Sequence, residues 1–367
     1  MNILIEIGHP AHVLKFSATI KILEENNHKI FVVTKNIPTV IHLLSKLNIP
    51  FTVIGTKKDS LIAKGFLQLW YNLRCFIIVK SKRIDLMIGC VSVAYMTRLT
   101  NIPSILFDDD DDEVEPLLVK YVHPYLSHIL SPDALTGNRK RTDTIYYPGY
   151  HELAYLHPNR FKPDPSVLSD IGLKEGDPYF ILRFNAFKAH HDVGVEGLSI
   201  ENKRKLISLL ETKGKVFISN ERNIDEEFKK YQLLLSPEKI HSLIYYATML
   251  IGDSQTMTSE AAVLGTPAVK CNSFAGKLSV PNELEDKYQL CYSFLPEQAD
   301  QFFTKIEELV NDENTASVLE KNKETMLADK MDVTKFYVWF IENYPESAKQ
   351  VRNFRTTDYQ LLNNHYQ

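Results

Sequence analysis

Apolar runs of strand length recur along this chain with helix-patterned segments between them, and that alternation limits the fold more than any other feature. NILIEI, KIFVVT, FTVIG, DLMIGC and SILFD read as strands in the first half, and 13–26 and 38–47 between them have helical periodicity. Strands joined through helices run parallel, and a parallel sheet is covered on both faces. The stretch 155–178, rich in Pro, Asp and Gly, then reads as a domain boundary. A second series follows: YFILRF, a helix over 200–212, KVFIS, a helix near 237–247, TMLIG, a helix over 256–264, and PAVKC. With 367 residues there is chain enough for two cores. The expectation is an α/β protein of two Rossmann-like domains, 1–165 and 166–330. An amphipathic helix at 333–343, within a segment 331–350, is expected to return to the first domain, ahead of a polar tail at 351–367.

Composition narrows the function. Forty-two Lys and Arg against 46 Asp and Glu leave a formal net charge of -4, which argues against a general nucleic-acid binder. None of Cys75, Cys90, Cys271 and Cys291 forms a CxxC pair or a zinc-type spacing with histidine, so no metal site is expected and reduced core thiols are. The N-terminus MNILIEIGHPAH enters a strand at once, without the pattern of a signal peptide, and no apolar run is long enough to span a bilayer. A cytoplasmic location is the expectation.

The stretch from TMLIG to PAVKC carries the clearest chemistry. If TMLIG is a strand and a helix starts near 254–256, Asp253 or Ser254 is its N-cap. The amides of Gln255, Thr256 and Met257 then point out of the helix start and, with the helix dipole, form a phosphate site. Glu260 lies one turn further in, where a carboxylate would repel phosphate but can accept hydrogen bonds from a ribose diol. An ordinary capped helix with a surface glutamate is the alternative.

GDSQTMTSEAAVLGTPAV resembles the C-terminal-domain motif of GT-B nucleotide-sugar enzymes, above all the hydrolysing UDP-N-acetylglucosamine 2-epimerases. In those enzymes a Ser followed six positions later by a Glu frames the nucleotide diphosphate and ribose; here these are Ser254 and Glu260. Gln255-Thr256 stands where the epimerases carry two glycines, so the turn is less permissive. With GHPAHV, YPGYHELAYLHPNRF and LRFNAFKAHHD, the chain as a whole is similar to domain-of-unknown-function family 354 over most of 1–344. The resemblance implies a GT-B fold with its active site in an interdomain cleft. The epimerases' Gly-Thr-Arg-Pro-Glu signature is missing, which weighs against epimerisation.

Ligands of open α/β sheets bind beyond the carboxyl ends of strands, so the residues after each strand are the other candidates. His9 and His12 sit in the first strand-to-helix turn, where a histidine can deprotonate an acceptor hydroxyl; they serve equally as capping or packing groups. Asp108 ends a strand and opens the run Asp108–Asp112, read mainly as a solvated acidic loop, with Asp108 as the carboxylate for acid/base work. The run leaves Mg²⁺ open, though no cofactor is required. Arg183 follows the first strand of the second domain and can pair with a diphosphate; Lys188, His190, His191 and Asp192 add donors, and Asn220 and Glu221 stand near another strand end. The stretch 57–83 is basic and apolar, with Asp59 its only acid, and reads as a helix between strands or as a peripheral membrane contact.

The expected function is transfer of a sugar from a nucleotide sugar, UDP-linked by resemblance, to a sugar or lipid-linked acceptor in polysaccharide or glycoconjugate biosynthesis. Ser254, Gln255 and Thr256 hold phosphate, Arg183, Lys188 and His190 neutralise the diphosphate-sugar, Glu260 holds ribose, and His9, His12 or Asp108 activates the acceptor. A sugar-nucleotide 2-epimerase or hydrolase on the same fold is the rival. A non-catalytic nucleotide-sugar or polysaccharide-binding protein is the reading from another class.

Overall fold

The computed structural model describes residues 1–56, 61–184, 197–219 and 224–351, with backbone alone for 61–67. The chain divides into two compact units, one of Met1–Arg160 with the segment from Lys330 onward, the other of Phe161–Asp329.

The first unit is built on seven parallel strands: β1 (Asn2–Ile7), β2 (Lys29–Asn36), β3 (Phe51–Thr56), β4 (Leu86–Ile88), β5 (Ser104–Phe107), β6 (His128–Pro132) and β7 (Ile145–Tyr147). Their order is β3-β2-β1-β4-β5-β6-β7, so the sheet reverses its winding between β1 and β4. β6 and β7 are additions to the five strands read from the sequence. β7 has only three residues, and β6 begins on a histidine and ends on Ser-Pro, which hid their pattern. One face of the sheet buries Leu4, Val33, Ile54 and Met87 against Tyr71, Cys75 and Val79 of helix Leu61–Ser81 and Val93 of helix Val91–Thr100.

The late helix Val333–Glu342 belongs to this unit. It is buried on every side from Val333 to Ile341, not amphipathic as its sequence suggested. Its polar groups are matched instead: Thr334 donates to the Ala154 carbonyl at 2.7 Å, and the hydroxyls of Tyr337 and Tyr147 meet at 2.8 Å. Asp332 caps the helix and receives Arg160 at 3.1 Å and Asn159 at 3.3 Å, which fastens the outgoing and returning chain within the unit.

The second unit holds five parallel strands: β8 (Tyr179–Arg183), β9 (Lys215–Ser219), β10 (Met249–Gly252), β11 (Ala268–Cys271) and β12 (Cys291–Phe294). Their order is β12-β11-β10-β8-β9, with the reversal between β8 and β10. Phe180, Leu182, Ile218, Ile251 and Val269 form one core with Phe302 and Ile306 of helix Ala299–Asn311. Among the described residues, Cys75, Cys271 and Cys291 are buried thiols and none of the four cysteines is bonded to another.

At the reversal point Gly252 pairs with Arg183, and a β-carbon on Gly252 would lie 2.0 Å from the Arg183 carbonyl oxygen. Only glycine allows this approach, which sets the exit direction of the chain into the following turn. Gly252→Ala is expected to lower stability by about 1–3 kcal/mol through overpacking against rigid backbone; a urea midpoint equal to that of the wild type would contradict it.

Candidate functional site

Helix Gln255–Leu264 starts directly after β10, at the point where the second sheet reverses. Its N-cap is Ser254, in extended backbone, whose hydroxyl accepts the Met257 amide at 3.4 Å. The Met257 amide, expected to be open, is therefore engaged, and those of Gln255 and Thr256 are left without a partner among the described residues. Gly265 ends the helix in the left-handed conformation at φ 81°.

A second group converges on this turn that the sequence reading missed. Lys270 of β11 is 1% exposed, and its amine donates to the side-chain oxygen of Gln255. That is its single hydrogen bond among the described residues, and it makes no ion pair there; burial lowers its pKa, with Glu285 acting only at longer range. The Gln255 amide nitrogen donates to Asn272 Oδ1 at 3.1 Å, and Asn272 Nδ2 donates to the Asp253 carbonyl at 2.8 Å. Lys270 and Asn272 thus tie the Gln255 side chain and the Asp253 carbonyl to β11 and the residue after it. The signal for Lys270 was a lysine in an otherwise apolar strand, PAVKC, which alternation turns away from the face carrying Val269 and Cys271.

Arg183 ends β8 beside this turn. Its carbonyl accepts the Asp253 amide at 3.0 Å and its Nη1 reaches Ser219 Oγ at 3.3 Å. Glu260 is not a surface group: it is 5% exposed, with Oε1 3.0 Å from His241 Nε2. Lys188, His190, His191, Asp192, Asn220 and Glu221 lie outside the described residues.

The corresponding turns of the first unit are closed. Glu6 on β1 accepts the amides of Cys90 at 3.1 Å, Ser92 at 3.3 Å and Val93 at 3.4 Å, so a carboxylate of the chain already occupies the start of helix Val91–Thr100. Gly89, at φ 150°, permits this, since a β-carbon there would fall 2.5 Å from Glu6 Cβ. Helix Pro10–Glu25 offers little for an anion either: Pro10 has no amide, and His9 caps the Ala11 amide through Nδ1 at 3.3 Å.

The aspartate run is not a solvated loop; only Asp110 is exposed between Asp108 and Asp112. Asp108 pairs with Arg139 at 2.9 Å and stands 3.5 Å from His123 Nε2. Asp112 accepts Arg139 at 2.8 Å and the Lys140 amide at 2.7 Å. Asp109 bridges Lys15 Nζ at 3.0 Å and His151 Nδ1 at 2.7 Å. The carboxylates turn to separate cations, and no group of three metal-type side chains gathers among the described residues.

Burial opposes ionisation of Asp109, but His151 and Lys15 outweigh it and hold the carboxyl well below its usual range. His151 is pushed the other way: burial lowers it, while Asp109 and Glu152 raise it to about 9. Desolvation in the crowded loop, then the charges of Asp109 and Asp108, push Asp110 up to about 7. His12 is lowered to about 3 by burial and then by Lys15 and His9. At neutral pH it is uncharged, and because its Nδ1 faces the Gly8 amide at 3.4 Å, its proton sits on Nε2.

Residues 1–346 match the family described as protein of unknown function (DUF354). The chain belongs to that family. An uncharacterized protein of Methanocaldococcus jannaschii is 24% identical over 294 residues, covering 74% of this chain and 82% of that one. Among solved structures, the spinosyn rhamnosyltransferase SpnG with its aglycone superposes with TM-score 0.59 at 13% identity, over 94% of this chain and 100% of that one. The S. aureus MnaA–UDP co-structure gives TM-score 0.62 at 14% identity, over 87% and 90%. The UDP-GlcNAc 2-epimerase of M. jannaschii, in complex with UDP-GlcNAc and UDP, gives 0.61 at 13% identity, over 85% and 94%. The fold of this family member is thus that of GT-B glycosyltransferases and UDP-GlcNAc 2-epimerases.

The shifted groups make stability depend on pH. His151 titrates at about 9 when folded against about 6.5 unfolded, so its contribution is complete below pH 6.5 and is lost as pH rises through 9. Asp109, held low, contributes above its unfolded value and loses that as pH falls through its folded one. His12 acts in the opposite sense to His151: its contribution is complete above about pH 6.5 and declines as pH falls towards 3. Between pH 6.5 and 9 the wild type is therefore expected to lose stability relative to His151→Gln. Urea unfolding across that range reads the difference, and parallel profiles for the two proteins would contradict it.

Proposed function

We propose that this DUF354 protein is a nucleotide-sugar enzyme whose second unit holds the diphosphate at the start of helix Gln255–Leu264. The observation that carries this reading is the pair of unengaged amides at Gln255 and Thr256 beside Lys270, a buried cation without an ion pair among the described residues. A helix start and a desolvated amine of like sign, placed together, favour an anion between or beside them. The reversal point of an open α/β sheet is where such ligands bind, and the first unit's equivalent already holds Glu6. Fold relatives support the nucleotide: one structure contains UDP, another UDP-GlcNAc and UDP, and a third, the glycosyltransferase SsfS6, thymidine diphosphate.

In this reading Arg183, with Lys188 and His190, neutralises the diphosphate, and Glu260, its rotamer held by His241, meets the ribose. The sugar–phosphate bond breaks with negative charge growing on a diphosphate that already faces amides and an amine, so the transition state is stabilised where its charge forms. The reaction assigned is glycosyl transfer to a sugar or lipid-linked hydroxyl in glycoconjugate biosynthesis.

The proton-acceptor candidates read from the sequence, His9, His12 and Asp108, are all residues of the first unit. His9 is occupied as a cap, His12 presents an N–H at neutral pH, and Asp108 is tied to Arg139. Asp110 is the exposed carboxyl of the run, and its pKa, raised to about 7, suits a general base. Asp109 and His151 act behind it as positioning residues.

Thr256→Asp separates ligand binding from folding. A carboxylate in the first turn suits the helix dipole, so the melting temperature is expected to hold or rise slightly. UDP affinity by isothermal titration is expected to fall about tenfold or more, because the new charge repels the diphosphate. Unchanged affinity in the folded variant would remove the diphosphate from this helix.

A further inference from the structure

From residue 68 to its end, helix Leu61–Ser81 shows two apolar faces where a helix on a sheet needs one. Tyr71, Cys75 and Val79, four apart, are buried against the first sheet. On the opposite side Leu69, Leu73 and Ile77 repeat the same spacing outward and are 68%, 49% and 56% exposed, with Trp70 beside them at 54%. Isolated exposed leucines are ordinary, but a stripe of three at helical spacing with a tryptophan on its flank is not.

The charge around the stripe identifies what covers it. Arg74 lies on the flank next to Trp70, and Lys80 ends the stripe, its amine 5.7 Å from the Phe76 ring centre. Lys82 and Arg83 follow, all four cations are exposed, and Asp85 is the first acid after them. The whole protein is net acidic, so this concentration of cations runs against the average. Amine heads above apolar stems and rings at the edge of a hydrophobic strip match a lipid interface, where the apolar side enters the acyl boundary and the cations meet headgroup phosphate. No helix among the described residues is long and apolar enough to cross a membrane, so the helix would lie on the surface.

We propose that the outward face of helix Leu61–Ser81 docks the protein on an anionic membrane surface, with Leu69, Trp70, Leu73 and Ile77 inserted and Arg74 and Lys80 on the headgroups. The proposal stands on this face alone and is independent of the nucleotide-sugar reading. Docking here would favour acceptors carried on lipid.

The test is flotation of the full-length protein with vesicles of phosphatidylglycerol and phosphatidylethanolamine, and with phosphatidylcholine alone. Binding to the anionic vesicles, weakened by high salt and absent from phosphatidylcholine, is expected. Leu73→Glu with Ile77→Glu is expected to cut partitioning about tenfold or more, and Arg74→Glu with Lys80→Glu to do likewise. All four positions are exposed, so unchanged melting curves serve as the folding control. Three results would overturn the proposal: no flotation of the wild type, equal flotation of the variants, or a wild-type dimer in sedimentation equilibrium that Leu73→Glu with Ile77→Glu dissolves, which would make the stripe a face for a second copy.

Discussion

A buried amine with no acid to pair with is costly, and in this protein that cost falls at one turn. Lys270 is shut from solvent, its single hydrogen bond among the described residues goes to the neutral Gln255 side chain, and the first amides of the next helix are nearby and open. All of these groups are electropositive. Folding could have relieved them with an internal carboxylate, as the first unit does by placing Glu6 across the amides of Cys90, Ser92 and Val93. The same fold element is therefore present twice, once closed by the chain itself and once with its first two amides open among the described residues. The diphosphate assignment follows from that contrast more than from either helix start taken alone.

The first unit spends its charges differently. Asp108 and Asp112 share Arg139, and Asp109 is divided between Lys15 and His151, so four of the five aspartates contribute to packing or to the poise of a neighbour. Like charges crowded this closely cannot all ionise freely, and Asp110 takes up desolvation in the loop, then the charges of Asp109 and Asp108, as a raised pKa. A run that looks like a solvated acidic loop thus becomes a buried ion-pair network with one adjustable carboxyl at its surface.

Much of this was legible in the residues. The alternation of strands and helices gave both parallel sheets, and the N-cap was narrowed to Asp253 or Ser254, of which Ser254 is the cap, because β-strand runs and N-cap chemistry are local signals. What stayed hidden depends on contacts distant in sequence. The pairing of Glu260 with His241 spans nineteen positions, Asp109 with His151 forty-two, and Glu6 with Cys90 eighty-four, and no periodicity encodes them. Lys270 was visible only as an odd residue in a buried strand, while β6 is broken up by His128 and Ser131-Pro132 and β7 has only three residues. The helix 333–343 was misjudged as amphipathic because its threonine and tyrosine hydroxyls find buried partners that a sequence does not display.

Hydrogen–deuterium exchange with and without UDP tests the central claim most directly, since it reads the amides themselves. UDP is expected to slow exchange at Gln255 and Thr256 and to leave Cys90, Ser92 and Val93 unchanged, because the latter already donate to Glu6. Protection appearing at the start of helix Val91–Thr100 instead, or no protection at Gln255 and Thr256 under saturating UDP, would contradict it.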